Sequence, residues 1–433
     1  MLRNSTTTDL IKLTLAQGKE KRRMQAEDFT EAEEVQELLG RLRRTCEGKQ
    51  FSDVIDDQGN QYVDLVMEGG GVLGVALVGY TFVLEEMGIR FLRVGGTSAG
   101  SINAALVAGL GTPQEPKSAK IVKELANVDF WTFVDGGRAA RAFVRTLVRR
   151  PSFVGLGFRG LWVFHSVFKY LGLNPGGAFY DWLSKLLSSD GVDTTRKLRE
   201  RMAQLPPSLR TREGEQIGPE RANPHLALVT ADVSTQTKVE FPDMAPLYWG
   251  DPENIDPALY VRASMSIPFF FHPLRVVDVP QGPEARARWQ KLASYDEEPP
   301  EVCTFVDGGI MSNFPIDLFH VPDKVPAAPT FGVKLGTDRR RTDEINNLKR
   351  LGAAVFRSAS HTLDYDFIKR NPDYRKLVAY IDTGDHGWLD FDMNDDAKVD
   401  LFVRGAREAA KFLTTFDWEG YKEVRRLKKE LYA

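Results

Sequence analysis

The chain has little of what builds covalently or metal-stapled scaffolds. Two cysteines, Cys46 and Cys303, serve all 433 residues. Their number and separation exclude both a disulfide framework and the paired spacing of a zinc site. Nowhere does an unbroken apolar run approach the roughly 18 residues of a membrane-spanning helix, and the first residues lack the apolar core of a secretory leader; the expected setting is cytoplasmic. Charge of neither sign dominates. With 57 Lys and Arg against 60 Asp and Glu, the net charge is −3, which gives no electrostatic reason to expect a polyanion or nucleic acid as partner. Histidine is sparse, six in all, and none of His165, His225, His272, His320, His361 or His386 sits in a recognisable catalytic context. What remains is ordinary globular composition, 42% hydrophobic and 27% charged, in a length that suits one large α/β domain with additions, or two domains.

A further absence is local. Residues 136–180 contain no Asp or Glu, yet carry Arg138, Arg141, Arg145, Arg149, Arg150, Arg159 and Lys169 among Phe143, Phe153, Phe158, Trp162, Phe164, Phe168 and Tyr170. Basic residues interleaved with aromatics at helical spacing suit a segment that seeks an anionic lipid surface. Arg145, Arg149, Arg150 and Trp162 are its candidate membrane contacts, and a lid or docking element is its expected role. A pair of core helices with basic outer faces fits the same pattern.

Two strand-to-helix junctions carry the chemistry. In the first, Tyr62, Val63, Leu65, Val66 and Met67 form an apolar β-rich run that stops at Gly69, Gly70 and Gly71, with a helix beginning near Val72. Such a turn leaves backbone N–H groups unpaired and pointing the same way. In the second, a short strand over 91–94 leads into Gly96-Thr97-Ser98-Ala99-Gly100, a G-x-S-x-G elbow whose glycines let the backbone lift the Ser98 hydroxyl clear of the sheet. Each alone is ambiguous. Gly69-x-Gly71-x-x-Gly74 also spells the dinucleotide fingerprint, but the next strand ends without the acid that would hold a ribose, and no Gly-Lys-Ser/Thr follows to make a P-loop. The glycines could form a plain tight turn, and Ser98 could be an incidental small residue. Together, on successive junctions of one sheet edge, they read as the two halves of an acyl-hydrolase site.

A serine hydroxyl needs a base to take its proton. The expected buried strand 302–306 delivers Asp307-Gly308-Gly309 at its end, where an open α/β sheet presents its working groups. Asp307 is therefore the candidate base, with a turn aspartate bonding its own backbone as the alternative.

These residues, with Arg262-Ala263-Ser264-Met265-Ser266-Ile267-Pro268 as a fourth block and Asn313 and Pro315 after the D-G-G, resemble the patatin-like phospholipase family over roughly residues 60 to 420. The resemblance implies a three-layer α/β/α fold with a mostly parallel central sheet, and a Ser-Asp dyad in place of a triad. Ser98 would be the nucleophile and Asp307 the base. The amides of Gly69, Gly70 and Gly71 would form the oxyanion hole, with Gly74, Gly96, Gly100, Gly308 and Gly309 supporting the turns. It implies hydrolysis of acyl esters of phospholipids or lysophospholipids, with no cofactor and no calcium. One position departs from the pattern: Leu73 stands where many relatives carry Lys or Arg, and Arg262 or Arg275 would have to supply a replacement cation. A regulated membrane-damaging effector with the same activity, and a non-catalytic scaffold, are the other functions this fold would serve.

Around this core, residues 1–59 read as an N-terminal helical arm, 60–420 as the catalytic domain with an insertion at about 136–190, and 421–433 as the end of a C-terminal helix. The arm is expected to hold one helix over 9–23 and a second opened by a capping box, Thr30-x-x-Glu33, with Val35, Leu38, Leu39 and Leu42 on one face. That stripe either packs on the catalytic domain or serves as a self-association face for a homo-oligomer. Residues 278–301 read as an exposed insertion, and 396–431 as one helical region. Asp392-x-Asn394-x-Asp396 has the opening of a calcium loop but lacks its glycine and terminal glutamate, so it reads as a helix cap and no metal is expected.

Overall fold

The computed structural model describes residues 23–149, 167–322, 324–336, 345–346, 351, 354, 358 and 364–432. The strands are β1 (Val54–Ile55), β2 (Gln61–Met67), β3 (Ile89–Thr97), β4 (Gly172–Asn174), β5 (Arg210–Thr211), β6 (His225–Asp232), β7 (Thr237–Phe241), β8 (Phe269–Phe271), β9 (Leu274–Val277), β10 (Val302–Asp307), β11 (Thr330–Leu335) and β12 (Val378–Ile381). Ten of them form one sheet with the central order β12-β11-β2-β3-β6-β10-β9, and β4 pairs with β8 separately. From β12 to β6 every neighbour is parallel; β7, β9 and β10 run antiparallel to their partners.

Burial explains the sequence of the central strands. Nearly every residue of β2, β3, β6 and β11 is buried whichever way it points, so both sheet faces are covered and the strands read as near-continuous apolar runs rather than alternations. The buried charges among them are partnered; Asp64 in β2, for one, is gripped by Arg93 of β3 with two bonds, at 2.9 and 2.5 Å. The helices α1 (Glu33–Thr45), α2 (Val75–Glu86), α3 (Ala99–Gly109), α4 (Ser118–Asn127), α5 (Arg138–Arg149), α6 (Gly177–Ser189), α7 (Thr195–Met202), α8 (Pro257–Ser264), α9 (Pro283–Ala293), α10 (Asp395–Thr415) and α11 (Trp418–Tyr432) supply the outer layers. Helices α2 and α3, the two that follow the motif turns, are buried almost all round, which is why they carry no polar stripe.

One feature of the topology positions the site. Strand β6 carries β7 along one edge, and along the other it carries β3 first and then β10. Thr97, the last residue of parallel β3, lies opposite Val229, and Asp307, the last residue of antiparallel β10, lies opposite Thr230. Two strands running toward each other thus end on adjacent positions of a third.

Several local expectations change. Thr30 does not cap α1: it closes a short helix over Glu27–Thr30, its hydroxyl bonds the Ala26 carbonyl, and α1 starts after Ala32 without a side-chain cap. The 278–301 insertion is mostly exposed but contains a helix, α9, opened by Pro283, whose Trp289 is buried edge-on against Tyr248 with ring centroids 5.2 Å apart. The C-terminal region is two helices, broken where Phe416 turns extended and Asp417 accepts the Gly420 amide. Asn394 caps α10 by accepting from Ala397. The expected helix over 9–23 lies almost wholly outside the described residues, as do Arg150 and Trp162, while of Arg149 only the backbone is described.

The stripe on α1 is spent inside the chain. Val35, Leu38, Leu39 and Leu42 are buried in the same hydrophobic core as the sheet; Phe29 packs edge-on to Phe402 of α10 and Glu34 pairs with Arg407 at 2.7 Å. Leu39→Ala should therefore lower unfolding free energy by about 2–5 kcal/mol, measured by urea titration; a loss under about 0.5 kcal/mol would mean the helix contributes nothing to the core.

Candidate active site

Ser98 sits where β3 turns into α3. Its backbone is held at φ 51° and ψ −118°, a conformation that costs a non-glycine residue on the order of 1–3 kcal/mol and persists only when the surroundings fix it. Three contacts do so. The Ser98 N–H donates to the Ser264 hydroxyl at 2.9 Å, and that hydroxyl donates in turn to the Val229 carbonyl at 2.6 Å. On the other side, the Ser101 hydroxyl donates to the Ser98 carbonyl at 2.6 Å. Gly96 and Gly100 lie against each other and against the Met67 carbonyl, and Gly74 lies against Ala99, so the two motif turns are packed backbone to backbone.

The three glycines of the first turn differ in what their amides do. Gly69 N–H donates to the Asn313 carbonyl at 3.0 Å, and the Asn313 side chain returns a bond to the Gly69 carbonyl at 3.2 Å. Val72 N–H is taken by the Trp388 carbonyl at 3.0 Å. Among the described residues, the amides of Gly70 and Gly71 between them have no protein acceptor. The expectation of three available donors thus narrows to two, because Asn313 claims the first. Gly71 must be glycine: its φ is +56°, and a side chain there would run into the Trp388 carbonyl.

Asp307 is brought to Ser98 by the strand geometry above. Its carboxyl group is fully enclosed, and burial pushes its pKa up to about 6; interaction with the Ser98 hydroxyl and the Gly309 amide pulls the other way. The Gly309 amide donates to Asp307 Oδ1 at 2.8 Å, so the carboxylate both bonds its own turn and faces the serine. Gly308 packs against the Val229 carbonyl. The described histidines are occupied elsewhere: His225 with Asp243, His272 stacked on Tyr170, His320 with Tyr374 and His386 with Asp400. His165 and His361 lie outside the described residues.

The sequence marks the 262–268 block but not what it does, and it gives no sign of Asp364, because these roles are bonds to distant parts of the chain. The turn 264–266 holds both sides of the site, with Ser264 on the Ser98 amide and the Ser266 carbonyl accepting the Asp307 amide at 2.9 Å. Arg262 anchors that turn, donating to the Ser266 hydroxyl and to the carbonyls of Pro175 and His272. With its donors so committed, it does not replace the cation absent at Leu73, which is itself buried; Arg275 is exposed on β9. Asp364, buried, accepts from the Ser312 hydroxyl and the Phe314 amide, both at 2.6 Å, while the Ser312 carbonyl accepts from Thr97 at 2.8 Å. Residues 312–314 thereby join the glycine turn, the elbow and Asp364. Glu68, just before Gly69, pairs with buried Lys334 at 3.4 Å and accepts the Leu335 amide at 2.6 Å.

From Ser98 and Gly71 an apolar cavity of about 110 Å³ runs into the protein between α3, α4 and α6, walled by Ile102, Leu106, Leu125, Phe133, Phe179 and Trp182. Apolar cavities of comparable size stay dry and take apolar guests. Among the described residues no group of three His, Cys, Asp or Glu side chains could hold a metal ion, and no helix is long and apolar enough to cross a membrane.

A family profile described as patatin-like phospholipase matches residues 65–320. The chain belongs to the patatin-like phospholipase family. Its match therefore takes in the glycine turn, the elbow, the 262–268 block and the Asp307 turn, but not Lys334, Asp364 or the Trp388 loop. Membership supports a lipid acyl hydrolase. Uncharacterized protein YqhO of Bacillus subtilis (strain 168) is 30% identical over 354 residues, 81% of this chain and 98% of that protein. Among solved structures, VipD from Legionella pneumophila aligns with TM-score 0.40 at 15% identity, covering 85% of this chain and 70% of VipD. The ExoU–SpcU complex of Pseudomonas aeruginosa aligns with TM-score 0.34 at 17% identity, covering 84% of this chain and 52% of the other.

The raised Asp307 pKa has a stability consequence. A carboxyl whose folded pKa is about 6, against 3.8 for the free group, binds its proton more tightly folded than unfolded. Its penalty is absent below about pH 4, grows as pH rises toward 6, and is complete above, on the order of 3 kcal/mol. Asp307→Asn should therefore be at least as stable as wild type at pH 8, with the advantage vanishing near pH 4, as followed by denaturant titration across pH.

Proposed function

We propose that the protein is a lipid acyl hydrolase of the phospholipase A or lysophospholipase type, acting through Ser98 and Asp307. The observation that carries this reading is a strained serine, its hydroxyl facing a buried carboxylate, at the mouth of an apolar cavity suited to a fatty-acyl chain. Ionised Asp307 accepts the hydroxyl proton as Ser98 Oγ attacks the ester carbonyl carbon. The carbonyl oxygen becomes an oxyanion received by the Gly70 and Gly71 amides at the start of the short helix Gly71–Gly74. Collapse expels the glycerol-side alkoxide, which takes the proton back from Asp307 and leaves an acyl ester on Ser98. Water then gives a proton to Asp307 as its oxygen bonds the acyl carbon; collapse breaks the bond to Ser98 Oγ, which takes that proton back from Asp307, so the fatty acid leaves and both side chains are restored. The substrate meets the enzyme at a membrane surface, so peripheral membrane contact is part of the proposal.

Liposomes of phosphatidylcholine, with fatty-acid release followed by mass spectrometry, test this directly. Ser98→Ala and Asp307→Asn should each lower release by about three orders of magnitude or more, with thermal unfolding still cooperative; fatty acid released by Ser98→Ala at the wild-type rate would remove the nucleophile. The base must be ionised to act, so on a soluble ester kcat/KM should rise about tenfold per pH unit below pH 6 and level off above it. A profile flat from pH 4.5 to 8 would exclude Asp307 as the base.

A further inference from the structure

Large apolar side chains are held in solvent beside the cavity wall. Phe269 of β8 is 69% exposed and Leu171, just before β4, is 53% exposed. Both lie in the left-handed backbone region, with φ of +66° and +59°, where a bulky residue is strained and glycine is not. They are neighbours: Gly172 pairs with Phe269 in the two-stranded β4–β8 sheet. Tyr170, 48% exposed, stacks flat on His272 just beyond β8, and Lys169 lies over its ring. Exposure of large apolar groups and left-handed backbone thus coincide on one small parallel strand pair.

The inner side of the same element belongs to the site. Phe271 of β8 lines the cavity that reaches Ser98, and Phe270 stacks on Phe391, which lines it too. Arg262, which anchors the 264–266 turn, bonds the carbonyls of Pro175 and His272 at the ends of β4 and β8. The exposed charges that α5 contributes near the patch are positive, with Asp135 beside them accepting the Gly176 and Ala178 amides. Helix α5 starts beside β4, the Gly136 amide donating to the Asn174 side chain at 3.0 Å, and it exposes Arg138, Arg141 and Arg145, the last stacked on Trp131; Lys169 adds a fourth cation.

We propose that Leu171, Tyr170 and Phe269 form an insertion surface for the interface of an anionic lipid bilayer, flanked by the cations of α5 and Lys169. The proposal rests on the lipid acyl hydrolase reading for its occupant, since a substrate held in a bilayer must be met where the cavity wall comes to the surface. Rings and a branched aliphatic side chain enter the acyl boundary while the cations stay among anionic headgroups.

The strain supplies a clean test. Leu171→Gly with Phe269→Gly removes the apolar groups and relaxes the backbone, so the variant keeps its fold, checked by its unfolding temperature. In co-sedimentation with vesicles of phosphatidylcholine and phosphatidylserine at 7:3, the double variant should bind about tenfold or more weakly than wild type. Wild-type binding should also weaken several-fold on vesicles of phosphatidylcholine alone. Hydrolysis of a monomeric short-chain ester should be unchanged in the variant. Equal vesicle binding by variant and wild type, or no vesicle binding by wild type at all, overturns the surface. Loss of short-chain ester hydrolysis in wild type would instead overturn the hydrolase reading, so the two failures are distinguishable.

Discussion

The site depends on one strand edge. Parallel β3 and antiparallel β10 share the same side of β6 and end on Val229 and Thr230, so the distance between Ser98 and Asp307 is set by hydrogen-bond register on a buried strand. On a strand covered on both faces, register is held by the fit of each side chain into the close-packed layers on either side. A serine and a carboxylate drawn from distant parts of the sequence are thereby held as firmly as neighbours.

That register does not aim the two groups by itself, and the polar contacts around it show what does. The elbow is strained, Asp307 is dehydrated, and two glycine amides lack protein acceptors among the described residues; each is a departure from what folding alone favours. The compensating bonds converge from three directions: Ser264 and Ser266 from the end of α8, Asn313 and Ser312 from the turn after β10, and Asp364 from beyond β11. These bonds are buried, where an unmade hydrogen bond costs the most, so the elements are locked to one another rather than resting on loose loops. The apolar cavity completes the arrangement by giving one side of Ser98 a largely hydrophobic wall.

The parts of this arrangement that can be read in the sequence are those written as local patterns. Glycines 69–71, the Gly96–Gly100 elbow and the Asp307 turn each follow an apolar run, and their meeting follows from their places at strand ends. The resemblance to patatin-like phospholipases fits the observed fold, and the family profile covers the same blocks. Where sequence reading failed, the cause was competition or distance. Thr30 is consumed by a preceding helical turn, so the capping pattern behind it is idle. The 278–301 stretch is rich in Pro, Glu and Arg, which hid Pro283 as a helix start and Ala285 and Trp289 as its buried face. The breadth of the glycine turn's free amides depended on Asn313, and the locking roles of Asp364 and Ser264 are bonds to backbone far away in the chain, which no spacing encodes.

Because adjacency on β6 defines the gap between the reacting groups, the lengths of the connections are unconstrained by it. Outside β6, the 262–266 turn and the cavity wall, the span between the end of β3 and the start of β10 carries surface helices such as α7 and α9, and loop closure grows costly only slowly with length. Such a chassis can accept, lose or exchange whole surface modules on that span without retuning the chemistry, which makes the span the natural place for lineages to diversify where and on what the same core acts.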